Sequence, residues 1–350
     1  MNRDVDLSER ERSILQAVVH LYITTAEPVG SRSIVKRLGL EISPATVRNT
    51  MSDLEESGYL QQVHTSSGRV PTDKGYRYYV DYLMRVQELT IQERARIEMD
   101  LTERLDDADE VMRQTSHLLA LISHQTGIVE SPDESDARVN RVELMPLNTS
   151  RTAILIADSY GRVRTHIVSS ERGLDPVMLG RVTQFLNDNL RGVSVDKLAS
   201  TLHTRLRIFV DEQQQLAEEA SRLLQLLPPQ RSGQIYLDGT THLFEHPEFR
   251  DVERAREVFN LLEERERVAS LLRAGLRDTA STRPTILLGG EASMQGVDDI
   301  GIVAAPYSVG DKTVGMIGVL GPRRMPYSRV TALVDYTANM LSRLLTRLAG

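Results

Sequence analysis

The sequence contains no cysteine and no apolar run long enough to cross a membrane. Without cysteine the chain has no disulfide, no thiolate nucleophile and no thiol redox sensor. Its first residues include Arg3, Asp4 and Glu9 in place of an apolar run, which predicts that no signal peptide is present. We therefore expect a protein that stays in the cytoplasm and that senses its signal by chemistry other than thiol oxidation.

The composition is that of an ordinary globular protein. The chain has 350 residues, of which 40% are hydrophobic and 26% are charged, and this length predicts more than one domain. Basic and acidic residues balance through Arg85, so no bulk positive field marks the N-terminal region. The placement of the basic residues is therefore more informative than the net charge.

The segment SPATVRNTMSDLEESGYL, residues 43–60, has the pattern of a well-capped helix. Ser43 can accept a hydrogen bond from a free amide of the next turn, and Pro44 stands where a missing donor costs nothing. Gly58 can adopt the positive φ that ends a helix. The predicted buried stripe, spaced at i, i+4 and i+7, consists of Val47, Met51 and Leu54.

The outward face of this helix is small, polar and free of acids in its first two turns. Its residues and their flanks include Ala45, Thr46, Arg48, Asn49 and Ser52. Asparagine can pair with adenine, alanine and threonine can touch a thymine methyl, and arginine can reach guanine or phosphate. A solvated surface helix would show the same pattern, so the neighbouring segments must decide between the two interpretations.

Those neighbours predict a winged helix-turn-helix. Ser8 and Glu11 have the spacing of a capping box before a first helix, and Ser31 is the predicted N-cap of a second helix. After Gly58 the segment YLQQVHTSSGRV alternates like an edge hairpin, with a Ser/Gly turn and a return strand at Arg69. Three helices followed by such a hairpin are typical of a DNA-binding domain.

Two groups of basic residues are candidate phosphate contacts, although ordinary surface residues would look similar. The groups are Arg32, Lys36, Arg37 and Arg48, and then Arg69, Lys74 and Arg77. The predicted DNA-binding set draws on the outward face, on Arg32 and Arg48, on the second basic group, and on the capping and turn residues Ser31, Ser43 and His64. That set is Ser31, Arg32, Ser43, Ala45, Thr46, Arg48, Asn49, Ser52, His64, Arg69, Lys74 and Arg77.

Three segments resemble the HrcA family of bacterial heat-inducible transcription repressors, and the likeness spans the whole chain. They are SPATVRNTMSDLEESGYL, HTSSGRVPTDKGYRYYVDYL and VGDKTVGMIGVLGPRRMPY. The resemblance implies a homodimer that binds double-stranded DNA at an inverted-repeat operator called CIRCE, upstream of chaperonin and chaperone operons. It also implies that the GroEL chaperonin keeps the repressor active.

The order of elements after residue 107 resembles a GAF-like α/β domain interrupted by a block of strands and helices, and HrcA proteins have such a domain with an inserted dimerisation domain. The predicted fold is therefore α+β and multi-domain. Its parts are a winged helix-turn-helix at 1–84, a helical linker at 85–106, the GAF-like domain at 107–137 and 229–350, and an α+β dimerisation domain at 138–228. In the alternative, 90–350 form one α/β domain, or the strands from 141 begin the GAF sheet.

Motifs that suggest enzymes are incomplete. HLFEH at 242–246 lacks the glutamate that follows the first histidine in zinc proteases, and Pro247 interrupts its helix. GMIGVLG lies in a strand pattern without the strand–turn–helix context of a dinucleotide site. We predict no catalytic residue, no metal and no cofactor. A ligand-gated regulator, with a small molecule bound along SVGDKTVGMIGVLG, is the alternative function.

Symmetry predicts that dimerisation is part of function. One recognition helix reads only a few base pairs, so operator-level affinity needs two copies about one helical turn or a multiple apart. The block 138–228 has its own apolar pattern, which neither DNA binding nor the GAF-like frame requires. We expect this block to carry the principal self-contact.

Overall fold

The structure, a computed structural model, describes most of the chain. The described residues are 7–38, 42–63, 68–102, 107–133, 137–148, 150–169, 175–205, 212–227, 234–274, 283–292 and 298–349. His64 and the predicted boundary near 228 lie outside them.

The N-terminal body is a winged helix of four helices and two short strands. Its elements are α1 (Glu9–Thr25), α2 (Ser31–Leu38), α3 (Pro44–Glu56), β1 (Leu60–Gln62), β2 (Arg69–Pro71) and α4 (Asp73–Tyr78). The predicted capping box starts α1, because the Ser8 amide donates to a Glu11 carboxylate oxygen at 2.7 Å and the Glu11 amide to Ser8 Oγ at 3.4 Å. β1 and β2 pair antiparallel as the wing, and Val29 adds a bridge to Arg69.

A short connection leads from the winged helix into the rest of the chain. The π-helical turn Tyr79–Leu83 is followed by residues 84–90, which belong to no helix or strand, and then by α5 (Ile91–Thr102) and α6 (Ala108–Ser123). The charge-rich segment predicted as a linker is indeed helical in α5. However, Ile97 and Leu101 are fully buried in the main core, where α5 packs on α6. α5 therefore packs on the core through one face, and the assignment of 85–106 as a linker stays a prediction.

α6 ends earlier than the sequence predicts. The apolar pattern of VMRQTSHLLALISHQTGIV continues as far as Gly127. α6 nevertheless stops at Ser123, where His124 takes a φ of 54° as a left-handed cap. Gly127 lies instead in strand β3 (Thr126–Glu130), where an added Cβ would come 2.1 Å from the Ser116 carbonyl oxygen. The glycine lets the strand pass close to α6. Local periodicity carries no signal for such an approach.

A separate α+β unit follows β3. Its elements are β4 (Val139–Pro146), β5 (Arg151–Asp158), β6 (Val163–Ser169), α7 (Pro176–Leu190), α8 (Leu198–Arg205) and α9 (Glu212–Gln225). The three strands pair antiparallel in chain order, and α7 packs on β4. Ile154, Val182 and Leu186 are fully buried in a core of their own. The strands from 139 thus make their own sheet and do not begin the next one.

The remaining elements build a five-stranded sheet with helices on both faces. They are β7 (Ile235–Asp238), α10 (Thr240–Leu243), α11 (Val252–Glu263), α12 (Arg265–Ala274), β8 (Thr285–Leu288), β9 (Ile300–Val309), β10 (Lys312–Pro322) and α13 (Tyr327–Ala349). The strand order is β7-β3-β10-β9-β8, and every pair is antiparallel. Glu130, at the end of β3, pairs with Ile235, at the start of β7. The α+β unit is therefore inserted between two neighbouring strands of this sheet.

Successive side chains along each strand point to opposite faces of the sheet, and each face has its own hydrophobic core. Val129 and Ile317 belong to the core under α6 and α13, whereas Ile128 and Met316 belong to the core under α11 and α12. On the second of these faces the helical segment is divided at Glu264 into α11 and α12. The predicted fold class, α+β and multi-domain with an N-terminal winged helix, is confirmed. The assignment of 138–228 to dimerisation stays a prediction.

Candidate nucleic-acid interface

Helix α3 has the predicted start and the predicted buried stripe. The Thr46 amide donates to Ser43 Oγ at 3.1 Å, and Pro44 is the first helical residue. Val47, Met51 and Leu54 are at most 1% exposed, and Gly58 has a φ of 79° after the last turn. Thr50 is also buried, with its hydroxyl bonded to the Thr46 carbonyl oxygen. The stripe therefore anchors α3 and leaves its opposite side free of core contacts.

The opposite side forms what we call the recognition face, which consists of Ala45, Arg48, Asn49 and Ser52. These positions are spaced at i, i+3, i+4 and i+7, so they share one side of the helix. Ala45, Arg48 and Asn49 are exposed, and Ser52 is half-buried. Thr46 is half-buried on the flank, and its hydroxyl lies 3.0 Å from Ser43 Oγ. Asn49 is thus the long amide that this face offers to a base edge, and Arg48 is an exposed arginine that can reach a base or a phosphate.

Arg69 of the wing is bonded within the protein, and its predicted phosphate contact stays a prediction. Its Nε donates to Glu55 Oε2 at 2.8 Å and its Nη2 donates to Ser52 Oγ at 2.9 Å, and its side chain is only 13% exposed. Its backbone also exchanges two hydrogen bonds of 2.9 Å with Val29. Arg69 therefore braces the wing against the C-terminal end of the recognition face.

Lys74 lies beside the other end of the wing. Its Nζ donates to the Ser57 carbonyl oxygen at 3.0 Å and lies 4.2 Å from the centre of the Tyr59 ring. The residue is nevertheless exposed, and Thr72 caps the helix that carries it by accepting from the Gly75 amide at 3.1 Å. Lys74 is held at the surface next to the end of α3, where a phosphate can approach it.

Arg77 faces the five-stranded body and not the wing. Its Nε donates to Glu291 Oε1 at 2.6 Å, and its Nη2 donates to the Ile286 carbonyl oxygen at 2.8 Å. Asp81 accepts a further bond from Nη1 at 3.3 Å. The structure therefore places Arg77 in an interdomain contact, and its role in DNA binding stays a prediction. The sequence pattern groups it with Lys74 only because the two residues are three positions apart.

α2 differs from its prediction by one residue. The amides of Ser33 and Ile34 donate to the Gly30 carbonyl oxygen, so Gly30 is the cap and Ser31 is already in the first turn. Ser31 is half-buried, and Arg32 is exposed beside it. Lys36 and Arg37 are exposed in the last turn. The basic side of α2 is therefore available at the surface.

Two contacts of the basic residues around the site were missed by sequence reasoning. Glu55 fixes Arg69, and Asp73 binds Arg323 with 2.6 Å between Oδ1 and Nη1. The segment GRVPTDKGYR stands out in the sequence as unusually specific, but nothing local indicates that its side chains serve contacts within the protein. The partners are up to 250 positions away, so only the tertiary fold brings them together.

Two protein-family models match this chain. Residues 6–81 match the family model described as the winged helix-turn-helix transcription repressor, HrcA DNA-binding, and residues 109–331 match the one described as the HrcA protein C terminal domain. The chain belongs to the HrcA family. It is a DNA-binding transcription repressor of the heat-inducible type, which confirms the resemblance seen in its motifs.

Relatives in the HrcA family align over almost their whole length. The heat-inducible transcription repressor HrcA of Geobacter sulfurreducens is 39% identical, covering 97% of this chain and 98% of that protein. The HrcA of Symbiobacterium thermophilum is 37% identical with the same coverage, 97% and 98%. A crystal structure described as a hypothetical protein has a TM-score of 0.67 at 22% identity, covering 98% of this chain and 100% of that chain. This last likeness supports the fold.

Two further observations concern the described part of the chain only. No helix there is both long and apolar enough to cross a membrane. No group of three or more histidine, aspartate or glutamate side chains there is placed to hold a metal ion. The two histidines of HLFEH, His242 and His246, accordingly lack a third ligand among the described residues.

Proposed function

We propose that the protein binds an inverted-repeat operator of the CIRCE type as a homodimer, in the cytoplasm on the nucleoid, and represses chaperonin and chaperone operons. The observation that carries this proposal is the recognition face: a polar, acid-free surface held outward by a fully buried stripe and flanked by a braced wing. A helix of this kind fits the major groove. Two copies related by a twofold axis read the two halves of an inverted repeat.

Base readout is assigned to the middle of the recognition face. Asn49→Ala removes the long amide and should cost roughly 1–3 kcal/mol at the operator, with little effect on random DNA. Glu56→Ala, an exposed change one turn beyond the face, is the control and should leave specificity unchanged. The measurement is a binding titration on operator and random duplexes at one salt concentration. Equal weakening of both duplexes by Asn49→Ala would show that the face is assigned wrongly.

Phosphate contacts are assigned to exposed basic residues of α2, α3 and α4. These residues are Arg32, Lys36, Arg37, Arg48 and Lys74. Each lost contact should weaken all DNA and reduce the slope of log K against log salt by about 0.9. Arg69 and Arg77 are removed from this set, because ion pairs and hydrogen bonds within the protein already engage them.

Self-association is assigned to the uncovered face of the three-stranded sheet. Cross-strand pairing puts Met145, Ala153 and Ile167 in one row, and Val163 in another row of the same face. Met145, Val163 and Ile167 are 49%, 59% and 53% exposed, whereas the opposite face holds buried Ile154. The same face also carries the polar residues Arg141, Glu143 and Thr165, and Ala153 in the middle strand is buried between its neighbours. Exposed apolar side chains bordered by polar ones are typical of a protein–protein interface.

A charge placed on this face tests the assignment. Ile167→Arg should shift the sedimentation equilibrium from dimer toward monomer, because the arginine would have to be buried unpaired. Val252→Arg is the matched control, since Val252 is 80% exposed on α11 of the other body. A dimer unchanged by Ile167→Arg would show that the contact lies elsewhere.

We infer further that a GroEL-type chaperonin maintains the active fraction of the repressor. When only part of the population is DNA-competent, the apparent dissociation constant equals the intrinsic one divided by the competent fraction. Operator titrations with and without chaperonin and ATP should show a higher active fraction at unchanged intrinsic affinity. If neither changes while a small metabolite shifts binding about tenfold, or 1.4 kcal/mol, the ligand-gated alternative replaces this proposal.

A further inference from the structure

The winged helix is docked on the five-stranded body through two motifs, GRVPTDKGYR and GPRRMPYSR. Arg323, which directly follows β10, donates to Asp73 at the start of α4 with 2.6 Å between Nη1 and Oδ1. Its guanidinium also lies 5.8 Å from the centre of the Tyr76 ring. A Cβ at Gly290 would come 2.5 Å from Asp73 Oδ2, so the body approaches this carboxylate as closely as a glycine permits.

A second ion pair holds the same helix at its other end. Arg77 binds Glu291 through two donors, and it also binds the Ile286 carbonyl oxygen of β8. Glu291 is itself held, because its carboxylate accepts from the Leu288 amide at 3.1 Å. The Arg77 and Glu291 side chains are 23% and 28% exposed, so this pair is partly shielded from solvent.

An apolar contact lies between the two ion pairs. Tyr76 and Tyr327 are both fully buried and meet edge-to-face, with ring centres 6.4 Å apart and an interplanar angle of 72°. The Tyr327 hydroxyl donates to the Arg323 carbonyl oxygen at 2.5 Å. The tyrosine therefore positions the turn that carries Arg323.

The next arginine reaches a different helix of the winged domain. Arg324 Nη1 donates to the Ile23 carbonyl oxygen, in the last turn of α1, at 3.1 Å. The same guanidinium pairs with Glu248, and the two side chains are 13% and 18% exposed. Two consecutive arginines thus hold α4 and α1 together against the body.

The segment that links the winged helix to α5 is itself bonded to the body. The Gln87 amide donates to the Ser328 carbonyl oxygen at 3.1 Å, and the Ser328 hydroxyl donates to the Arg85 carbonyl oxygen. The chain is therefore fixed to α13 almost as soon as it leaves the winged helix. In this docked arrangement Ala45 and Asn49 are exposed, so docking orients the recognition face without covering it.

We propose that this interdomain junction determines which half-site spacing the repressor accepts. The junction consists of Asp73, Tyr76, Arg77, Glu291, Arg323, Arg324 and Tyr327. In a twofold dimer the separation and tilt of the two recognition helices follow from how each winged helix sits on its own body. A rigid junction accepts one spacing, and a released one tolerates several. The proposal rests on the proposed dimer and inverted repeat.

The test uses the full-length protein and operators whose spacer is lengthened in steps up to about five base pairs, which is half a helical turn. Lengthening by half a turn should cost the wild-type protein about 100-fold in affinity, because the second half-site faces away and bivalent binding is lost. The double variant Arg77→Gln/Arg323→Gln should reduce this ratio to about tenfold or less. Arg77→Lys/Arg323→Lys keeps both charges and should restore most of the discrimination.

Controls separate positioning from stability. Arg267→Gln removes an arginine that binds Glu264 on the same body, away from the junction, and should keep the wild-type spacer profile. Binding to a single half-site should be equal for all variants, which shows that the winged helix is folded. If the double variant unfolds, Arg323→Gln alone is used and should relax the profile in the same direction.

Two failures are distinguishable. A double variant that binds a half-site normally and keeps the wild-type spacer profile would overturn the role of the junction. A wild-type protein that is indifferent to spacer length and binds an inverted repeat no better than a single half-site would overturn the dimeric function itself.

Discussion

Arg69→Ala distinguishes a bracing role from a phosphate contact. Arg69 donates to Glu55 at 2.8 Å and to Ser52 at 2.9 Å, and both partners belong to the recognition helix. Removing the guanidinium leaves the Glu55 carboxylate without this donor and leaves the Ser52 hydroxyl with its bond to the Arg48 carbonyl oxygen. The wing then loses its side-chain bonds to the recognition helix, although Thr72 and Lys74 still bond the Gly58 and Ser57 carbonyl oxygens that follow α3.

The expected cost follows from burial. A hydrogen bond to a charged group contributes about 1.5–3 kcal/mol, and an exposed ion pair contributes less than about 1 kcal/mol. Arg69 is 13% exposed and Glu55 is 32% exposed, so the pair lies between these limits. We expect a loss of roughly 1–2 kcal/mol in the free energy of unfolding of the winged helix. Affinity for all DNA should fall because the wing is less well ordered.

The decisive assay is the salt dependence of operator binding. Arg48→Ala, in the exposed part of the recognition face, should reduce the slope of log K against log salt by about 0.9. Arg69→Ala should lower affinity at every salt concentration while keeping the wild-type slope. Urea unfolding of both variants supplies the stability difference. A slope reduced by about one unit in Arg69→Ala would show that the arginine releases counterions and would refute the bracing role.

Three further outcomes follow from local geometry. Gly127→Ala should destabilise the protein by about 1–3 kcal/mol in urea unfolding, because its Cβ would lie 2.1 Å from the Ser116 carbonyl oxygen. Gly180→Ala should stabilise the protein by about 0.5–1 kcal/mol in the same assay, because Gly180 lies on α7 and an added Cβ would meet no atom within 4 Å. A lower free energy of unfolding in this variant would mean that another surface covers this side of α7 in solution. Burial and Arg324 lower the pKa of His246 below its ordinary value of 6.5, although Glu248, Glu245 and the His124 backbone oppose this. Folding thus favours the neutral imidazole of His246. The free energy of unfolding should therefore be highest above pH 6.5 and should decline as the pH falls below it. His246→Gln should reduce that decline.

The helices of the winged domain are predictable because their signals are local. A capping serine, a proline in the first turn and an apolar repeat specify α3 within one stretch of the chain. The same kind of signal fails at Ser31, where a glycine carbonyl starts the helix, and at Gly127, where a helix pattern runs on into a strand. In both places the backbone path is determined by a neighbouring element.

In the candidate site, too, some features follow from local sequence and others depend on distant contacts. Which residues of α3 face outward follows from a rotation of about 100° per residue, so Asn49 and Arg48 are identifiable without a fold. Whether an arginine is free to meet a phosphate depends on which acid lies within reach. In the sequence Arg69 and Arg77 look as available for a phosphate as Lys74 does, because all three are basic residues after the wing turn. In the structure Glu55 binds Arg69 and Glu291 binds Arg77.

The sequence by itself determined the winged helix, its recognition face, the absence of thiol chemistry and, through its motifs, the family. These properties depend on residue type and on short-range periodicity, which the chain carries wherever it folds. Only the tertiary structure decided that GRVPTDKGYR and GPRRMPYSR form one junction, and that the strands from 139 make a sheet of their own. Pairing across 250 positions is selected by the combined burial of many side chains, and no single stretch of sequence contains that information.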